Sequence, residues 1–163
     1  MSKSIETGNE VFTYPELTHE QASVIQEAIG ILETRMVKGE ELTQAQSAKH
    51  YCQLQLAGEQ EEHFGCLFLD SKHRLISFER LFRGTLGSTH VYPRVVLKRV
   101  VQTNAAAVIF THNHPSGCPE PSAQDIRITK QLIQLLSNID VRVLDHIVVG
   151  TEGIESFAER GII

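Results

Sequence analysis

THNHPSGCPEPSAQD, residues 111–125, follows the short apolar run AAAVIF at residues 105–110. An apolar run of that length entering a Pro/Gly turn reads as a buried strand that ends at solvent. His112 and His114 are two residues apart, so on an extended backbone both side chains point to the same side. Pro115, Ser116 and Gly117 turn the chain after them, and Asp125 follows eleven residues beyond His114. Ser122 and Asp125 form an S-x-x-D pattern just before an apolar-periodic stretch, which predicts a capping box at a helix start. Strand, turn and capped helix in this order predict a domain in which helices pack on a sheet.

The same residues carry chemistry. Two imidazoles and one carboxylate make a first-row metal site with one position left open, the arrangement expected of catalytic rather than structural zinc. An isolated H-x-H pair more often finds a hydrogen bond than a metal, and Asp125 has its own structural reading as the cap. The two roles of Asp125 are compatible, because a carboxylate in a first helical turn is held in a defined place. Hydrolysis at such a metal also needs a base. Glu61, Glu62 and Glu79 all adjoin predicted strands, and their spacing does not choose among them.

Working outward, residues 1–17 are polar and end in YPEL, a tail or arm. Thr18, with Gln21 three residues on, caps an amphipathic helix whose apolar positions are Ala22, Ile25, Ala28, Ile29, Leu32 and Met36, with Gly39 as its stop. A second helix begins at Thr43 and runs to about Ala57, burying Ala45, Ala48, Cys52 and Leu56. GCLFLD and RLISFERLF predict a hairpin turning at residues 70–73. RGTLGSTHV is turn-like, and Pro93 opens a helix RVVLKRVVQTN. A helix over residues 123–138 presents Ile126, Thr129, Ile133 and Leu136 on one side. VRVLDHIVVG is a strand, with a short one around residues 154–157 after it. The predicted class is α/β (α+β), one mixed sheet with an N-terminal helical extension.

The totals bound the rest. The 163 residues, 41% of them hydrophobic, suit one core without staples. Three cysteines without a CxxC pair argue against a disulfide framework and fit a reducing cytoplasm. No run approaches the roughly 18 apolar residues of a membrane span, and the start lacks a signal-peptide core. A net charge of −5 gives no global field for nucleic acid, and Arg74, Arg80, Arg83, Arg94, Lys98 and Arg99 read as solvated faces.

The glutamate, H-x-H-P and S-x-x-D pattern resembles the JAMM, or MPN-plus, metalloprotease motif. More narrowly, LFLD, FRGTL, YPR, NAAAVI, HNHPSG, LDHIVVG and SFAERG are similar to the bacterial RadC family, over residues 62–163. The resemblance implies a cytidine-deaminase-like JAB/MPN domain at residues 42–163, preceded by a tail and helix at 1–41. It implies one Zn2+ held by His112, His114 and Asp125, a protein or peptide substrate, and Ser122 as hydrogen-bond donor to the oxyanion. It assigns the acid/base role to Glu62, ahead of Glu61 and Glu79. Two departures stand out: no helix-hairpin-helix pattern precedes the core, and Tyr92 stands where the family commonly has a histidine before PR, with His90 shifted by two. His146, in LDHIVVG, reads either as a residue behind a metal ligand or as a strand histidine, the latter preferred because nothing in its spacing requires a site. The alternative to an enzyme is a protein- or DNA-associated module of the same fold. Another H-x-H hydrolase fits less well: a lactamase-like site wants Asp where Ser116 stands, and a TIM barrel needs about 250 residues.

Overall fold

β3, Ala107–Asn113, is buried at every position and has a neighbour on each side. The computed structural model describes residues 17–37, 45–84 and 89–163. In chain order its elements are α1 (His19–Val37), α2 (Ala45–Leu56), β1 (His63–Leu69), β2 (Leu75–Arg83), α3 (Pro93–Thr103), β3, α4 (Ala123–Ser137), β4 (Arg142–Val149) and β5 (Ile154–Ser156). The strands form one sheet in the order β2-β1-β3-β4-β5. β1 runs antiparallel to β2 and β3, β3 and β4 are parallel, and β5 returns antiparallel to β4. A parallel pair needs a crossover, and α4 supplies it. The result is the anticipated mixed sheet flanked by helices, with α1 and α2 ahead of it.

Alternation along β3 divides the core. Ala107 and Ile109 pack with Tyr51, Cys52 and Leu56 of α2 and Ile29 and Met36 of α1. Val108 and Phe110 pack on the opposite face with Val96 and Val100 of α3 and Leu132 and Leu136 of α4. His112 continues the second set. The metal-ligand candidates therefore emerge at the end of the α3/α4 layer. Asn104 ends α3 in the left-handed region (φ 53°), a conformation asparagine tolerates, and the chain turns directly into β3.

Most expected faces are present, with one correction on α4. Its buried residues are Thr129, Leu132 and Leu136, while Ile126 and Ile133 are only partly covered. The helix is rotated so that Leu132 meets the sheet. The Thr18–Gln21 capping box forms, with Gln21 N donating to Thr18 Oγ1 at 3.2 Å and Thr18 N to Gln21 Oε1 at 2.8 Å. Residues 1–16, the expected helix stop at Gly39, the start at Thr43 and residues 85–88 of the RGTLGSTHV turn lie outside the described residues.

Tyr51 joins α2 to α1. Fully buried, it donates its hydroxyl to Glu33 Oε1 at 2.7 Å and accepts from Gln55 Nε2 at 3.0 Å. Burial and the neighbouring Glu33 carboxylate push the phenol far above its ordinary value, so it stays a neutral donor. Tyr51→Phe is expected to lower stability by about 1 kcal/mol, read as a shift in the urea midpoint. An unchanged midpoint would mean that this buried contact contributes nothing net.

Candidate metal centre

The first turn of α4 has a requirement of its own: its backbone N–H groups need acceptors. Ser122 is the N-cap, and Asp125 N donates to Ser122 Oγ at 3.1 Å while Ser122 N donates to Asp125 Oδ2 at 2.7 Å. The Ser122 hydroxyl also donates to Oδ2, at 2.7 Å. The capping box thus locks the carboxylate, and its Oδ2 lies 3.5 Å from His112 Nε2 and 3.4 Å from His114 Nε2. His112 Nε2 and His114 Nε2 are 2.9 Å apart. Capping and convergence on the histidines coexist in one side chain.

The loop after β3 is tightly held. His114 N donates to Val149 O at 2.9 Å, Gly117 N to His114 O at 3.0 Å, and Glu152 N to Gly117 O at 3.0 Å. Gly117 has φ +94°, which demands glycine. His114 Nδ1 faces the Cys118 carbonyl at 2.9 Å. A carbonyl can only accept, so Nδ1 carries the proton and, in a neutral ring, Nε2 offers its lone pair to the centre.

The donor set fits a metal ion. One atom from each of His112, His114 and Asp125 lies within 4.8 Å of the others, the sole such triad of histidine, cysteine and carboxylate groups among the described residues. Tetrahedral zinc with bonds of about 2.0–2.2 Å places its ligand atoms roughly 3.3 Å apart. Both histidine–carboxylate distances match, and the two nitrogens need to part by a few tenths of an ångström. Electrostatics agree. Burial would raise the Asp125 pKa, but His112, His114 and Ser122 outweigh it and hold the carboxyl far below its ordinary value. Burial would lower the His114 pKa, yet Asp125, the Cys118 carbonyl and the charge of Glu62 raise it. Both shifts have one cause, the carboxylate charge held beside the two imidazoles.

These side chains form one wall of a cavity of about 660 Å³, whose lining also includes Glu62, Ser122, His90 and Tyr92. The other glutamates are engaged elsewhere. Glu61 pairs with Arg83, which holds its carboxyl below the usual range, and Glu79 takes both arms of Arg99. Arg80 pairs with Glu59 and Arg74 with Asp70, so four of the six cations read from the sequence as solvated faces are paired with carboxylates.

Two polar residues hold this arrangement that the motif did not single out. Asn113 lies between the histidines and therefore points to the other side of β3. Its Oδ1 accepts from His63 N at 2.8 Å and its Nδ2 donates to Glu61 O at 3.0 Å, tying the segment that carries Glu62 to the strand that carries the histidines. The Glu62 carbonyl accepts in addition from Gly84 N at 2.8 Å and Thr89 Oγ1 at 3.1 Å. A polar side chain between two same-sided histidines on a buried strand was the available signal, since it must find partners.

Of its two sequence readings, His146 follows the one that was not preferred. It is not merely a strand histidine: its Nε2 lies 2.8 Å from His112 Nδ1, and Thr129 Oγ1 lies 2.6 Å from its Nδ1. The parallel pairing of β3 with β4 brings it under His112. Burial, then the neighbouring His112, hold its pKa well below the ordinary histidine value.

Opposite shifts at two histidines give the metal-free chain a pH signature. Below about pH 6.5, the ordinary histidine value, the unfolded chain protonates at position 146 while the folded chain does not, so stability falls as pH falls. His114 has the reverse sign: its contribution is full below about pH 6.5 and is lost as pH rises through its elevated folded value. Urea midpoints of the metal-free chain between about pH 5 and 8 are expected to peak near pH 6.5. A midpoint climbing steadily to the alkaline end would contradict the His114 environment.

The chain's relatives share this region. Residues 42–162 match the family model of the RadC-like JAB domain. A UPF0758 protein of Vibrio cholerae is 55% identical over 138 residues, covering 85% of this chain and 87% of its own length. A UPF0758 protein of Methylibium petroleiphilum is 49% identical over 144 residues, or 88% and 65%, and one from Leptothrix cholodnii is 57% identical over 118 residues, or 72% and 53%. The chain thus spans from about half to nearly nine tenths of the length of these relatives. Matched over its sheet, its flanking helices and the whole histidine–aspartate centre, the chain belongs to the RadC/UPF0758 family of JAB/MPN-type domains.

Proposed function

We propose that the chain is a zinc-dependent hydrolase of the JAMM type that cleaves an amide or isopeptide bond in a protein or peptide. The observation that carries this reading is the convergence of His112, His114 and Asp125 on one wall of a cavity that Glu62 also lines. His112, His114 and Asp125 would hold one Zn2+. When bound, the ion supplies Lewis acidity, polarising a carbonyl and lowering the pKa of water to about 7. Glu62 takes the proton of the attacking water and returns it to the leaving nitrogen. Ser122 Oγ stands at the cavity edge, and its hydroxyl, turned from Asp125 toward substrate, donates to the developing oxyanion. Residues 42–163 form the hydrolase domain and residues 1–41 an extension. The three free cysteines fit the reducing cytoplasm, and among the described residues no helix is long and apolar enough to cross a membrane.

The test is a panel of peptide and isopeptide substrates, assayed with zinc, after chelation and after zinc is restored. Cleavage that disappears and returns is expected; no cleavage under any condition, or cleavage indifferent to chelation, counts against the enzyme reading. A second reading, an association module, draws on α1. Val24 and Ile31, seven residues apart on that helix, are 60% and 55% exposed. Val24→Asp with Ile31→Asp, which leaves Ile29 and Met36 in the core, separates the two: hydrolysis survives in the first reading, and self-association or partner binding is lost in the second. A DNA-bound form is disfavoured by the neutralised arginines, and salt-dependent duplex affinity would restore it.

A further inference from the structure

The Thr129 hydroxyl has one proton and two close neighbours, the Asp125 backbone carbonyl at 2.6 Å and His146 Nδ1 at 2.6 Å. A carbonyl oxygen has no proton to give. The hydroxyl proton therefore lies toward Asp125, and the Thr129 oxygen accepts from His146 Nδ1–H. The opposite assignment would leave two oxygens 2.6 Å apart with nothing between them. With its proton on Nδ1, neutral His146 has an acceptor at Nε2, which lies 2.8 Å from His112 Nδ1. His112 must then carry its proton on Nδ1, and its Nε2 lone pair turns toward His114 and Asp125.

We propose that His146 and Thr129 are positioning residues of the metal centre: the relay Asp125 carbonyl, Thr129, His146, His112 fixes His112 in its metal-binding tautomer and ties it to the helical turn that presents Asp125. The circuit is closed, since Asp125 contributes its carboxylate to the centre and its carbonyl to the far end of the relay. Water cannot substitute for a member, because His112, Thr129 and His146 are 1%, 0% and 1% exposed. The rings of Phe157, Phe64 and Phe110, at 4.6, 5.5 and 6.1 Å, surround His146 and leave its two nitrogens as its polar outlets. His114 is oriented separately, by the Cys118 carbonyl. The two histidine ligands thus depend on different elements, α4 for one and the loop after β3 for the other.

The inference rests on the metal-site reading, and its test has one arm that does not. Two-bond nitrogen–proton correlation spectra of the full metal-free chain report the histidine tautomers directly. His146 is expected as the Nδ1–H form; an Nε2–H form overturns the relay whether or not zinc binds. In the second arm, zinc affinity is measured by competition with a chromophoric chelator. Thr129→Val is expected to weaken zinc by about 10–100-fold, the range for loss of a partner behind a ligand, and Thr129→Ser to restore affinity to within about threefold. Wild-type affinity in Thr129→Val overturns the proposal. Should Thr129→Val fail to fold, the spectra of the unaltered chain still decide it; should the unaltered chain bind no zinc, the hydrolase reading fails while the tautomer result stands.

Discussion

Glu62→Gln is expected to retain one zinc per chain and to lower amide hydrolysis by about 10²–10⁴-fold. Glutamine preserves the shape of the side chain and an oxygen at its tip, but it cannot take a proton from water and pass it to a leaving amine. Sequence left Glu61 and Glu79 as candidates for that role, and their ion pairs with Arg83 and Arg99 argue against both. A carboxylate committed to a guanidinium is held by it, and neither of these two lines the cavity. Glu61→Gln and Glu79→Gln should therefore remain within a few-fold of the unaltered chain. Full hydrolysis in zinc-loaded Glu62→Gln would remove Glu62 from the mechanism, and a selective loss in either of the other two variants would name its replacement.

Gly150→Ala should damage the metal centre without altering a ligand. A Cβ there would meet the Gly117 carbonyl oxygen at 2.1 Å and Pro119 N at 3.0 Å, both backbone atoms. Backbone cannot swing aside as the end of a flexible side chain can, and Gly150 is itself tied by its N–H to Gly153 O at 2.9 Å. The 114–119 loop must move, and with it His114 and the Cys118 carbonyl that sets its tautomer. The expected cost is at least about 2–3 kcal/mol from overpacking, with a fall in zinc affinity of about tenfold or more as the ligand is displaced. Gly30→Ala is the control: nothing lies within 4 Å of a Cβ on that exposed position of α1, so it should stabilise by roughly 0.5–1 kcal/mol. Equal zinc binding and equal urea midpoints in Gly150→Ala and the unaltered chain would show that the loop does not position His114.

What could be read before the structure was local. The two-residue period of a strand put His112 and His114 on one side, and a capping box confines Asp125 whatever the rest of the chain does. The order of strands and helices around them was legible for the same reason, because each element carries its own period and punctuation. What was missed or left open depends on register between distant segments. His146 touches His112 only because β4 lies beside β3 in a particular alignment, and nothing within LDHIVVG fixes that alignment. Asn113 reaches Glu61 and His63 across the antiparallel pairing of β1 with β3. The rotation of α4 that buries Leu132 in place of Ile126 and Ile133 is likewise set by packing, since apolar residues stud more than one side of that helix. Spacing did not separate the three glutamates and the resemblance favoured Glu62; the arginine partners of Glu61 and Glu79 are again a matter of tertiary structure.

The measurement that bears most directly on the metal centre is an anomalous-scattering map at the zinc absorption edge, from crystals of the full chain grown with zinc. One peak is expected, bonded at about 2.0–2.2 Å to His112 Nε2, His114 Nε2 and an Asp125 carboxylate oxygen. A map with no peak between those three atoms, or with zinc held only elsewhere on the surface, would contradict the account.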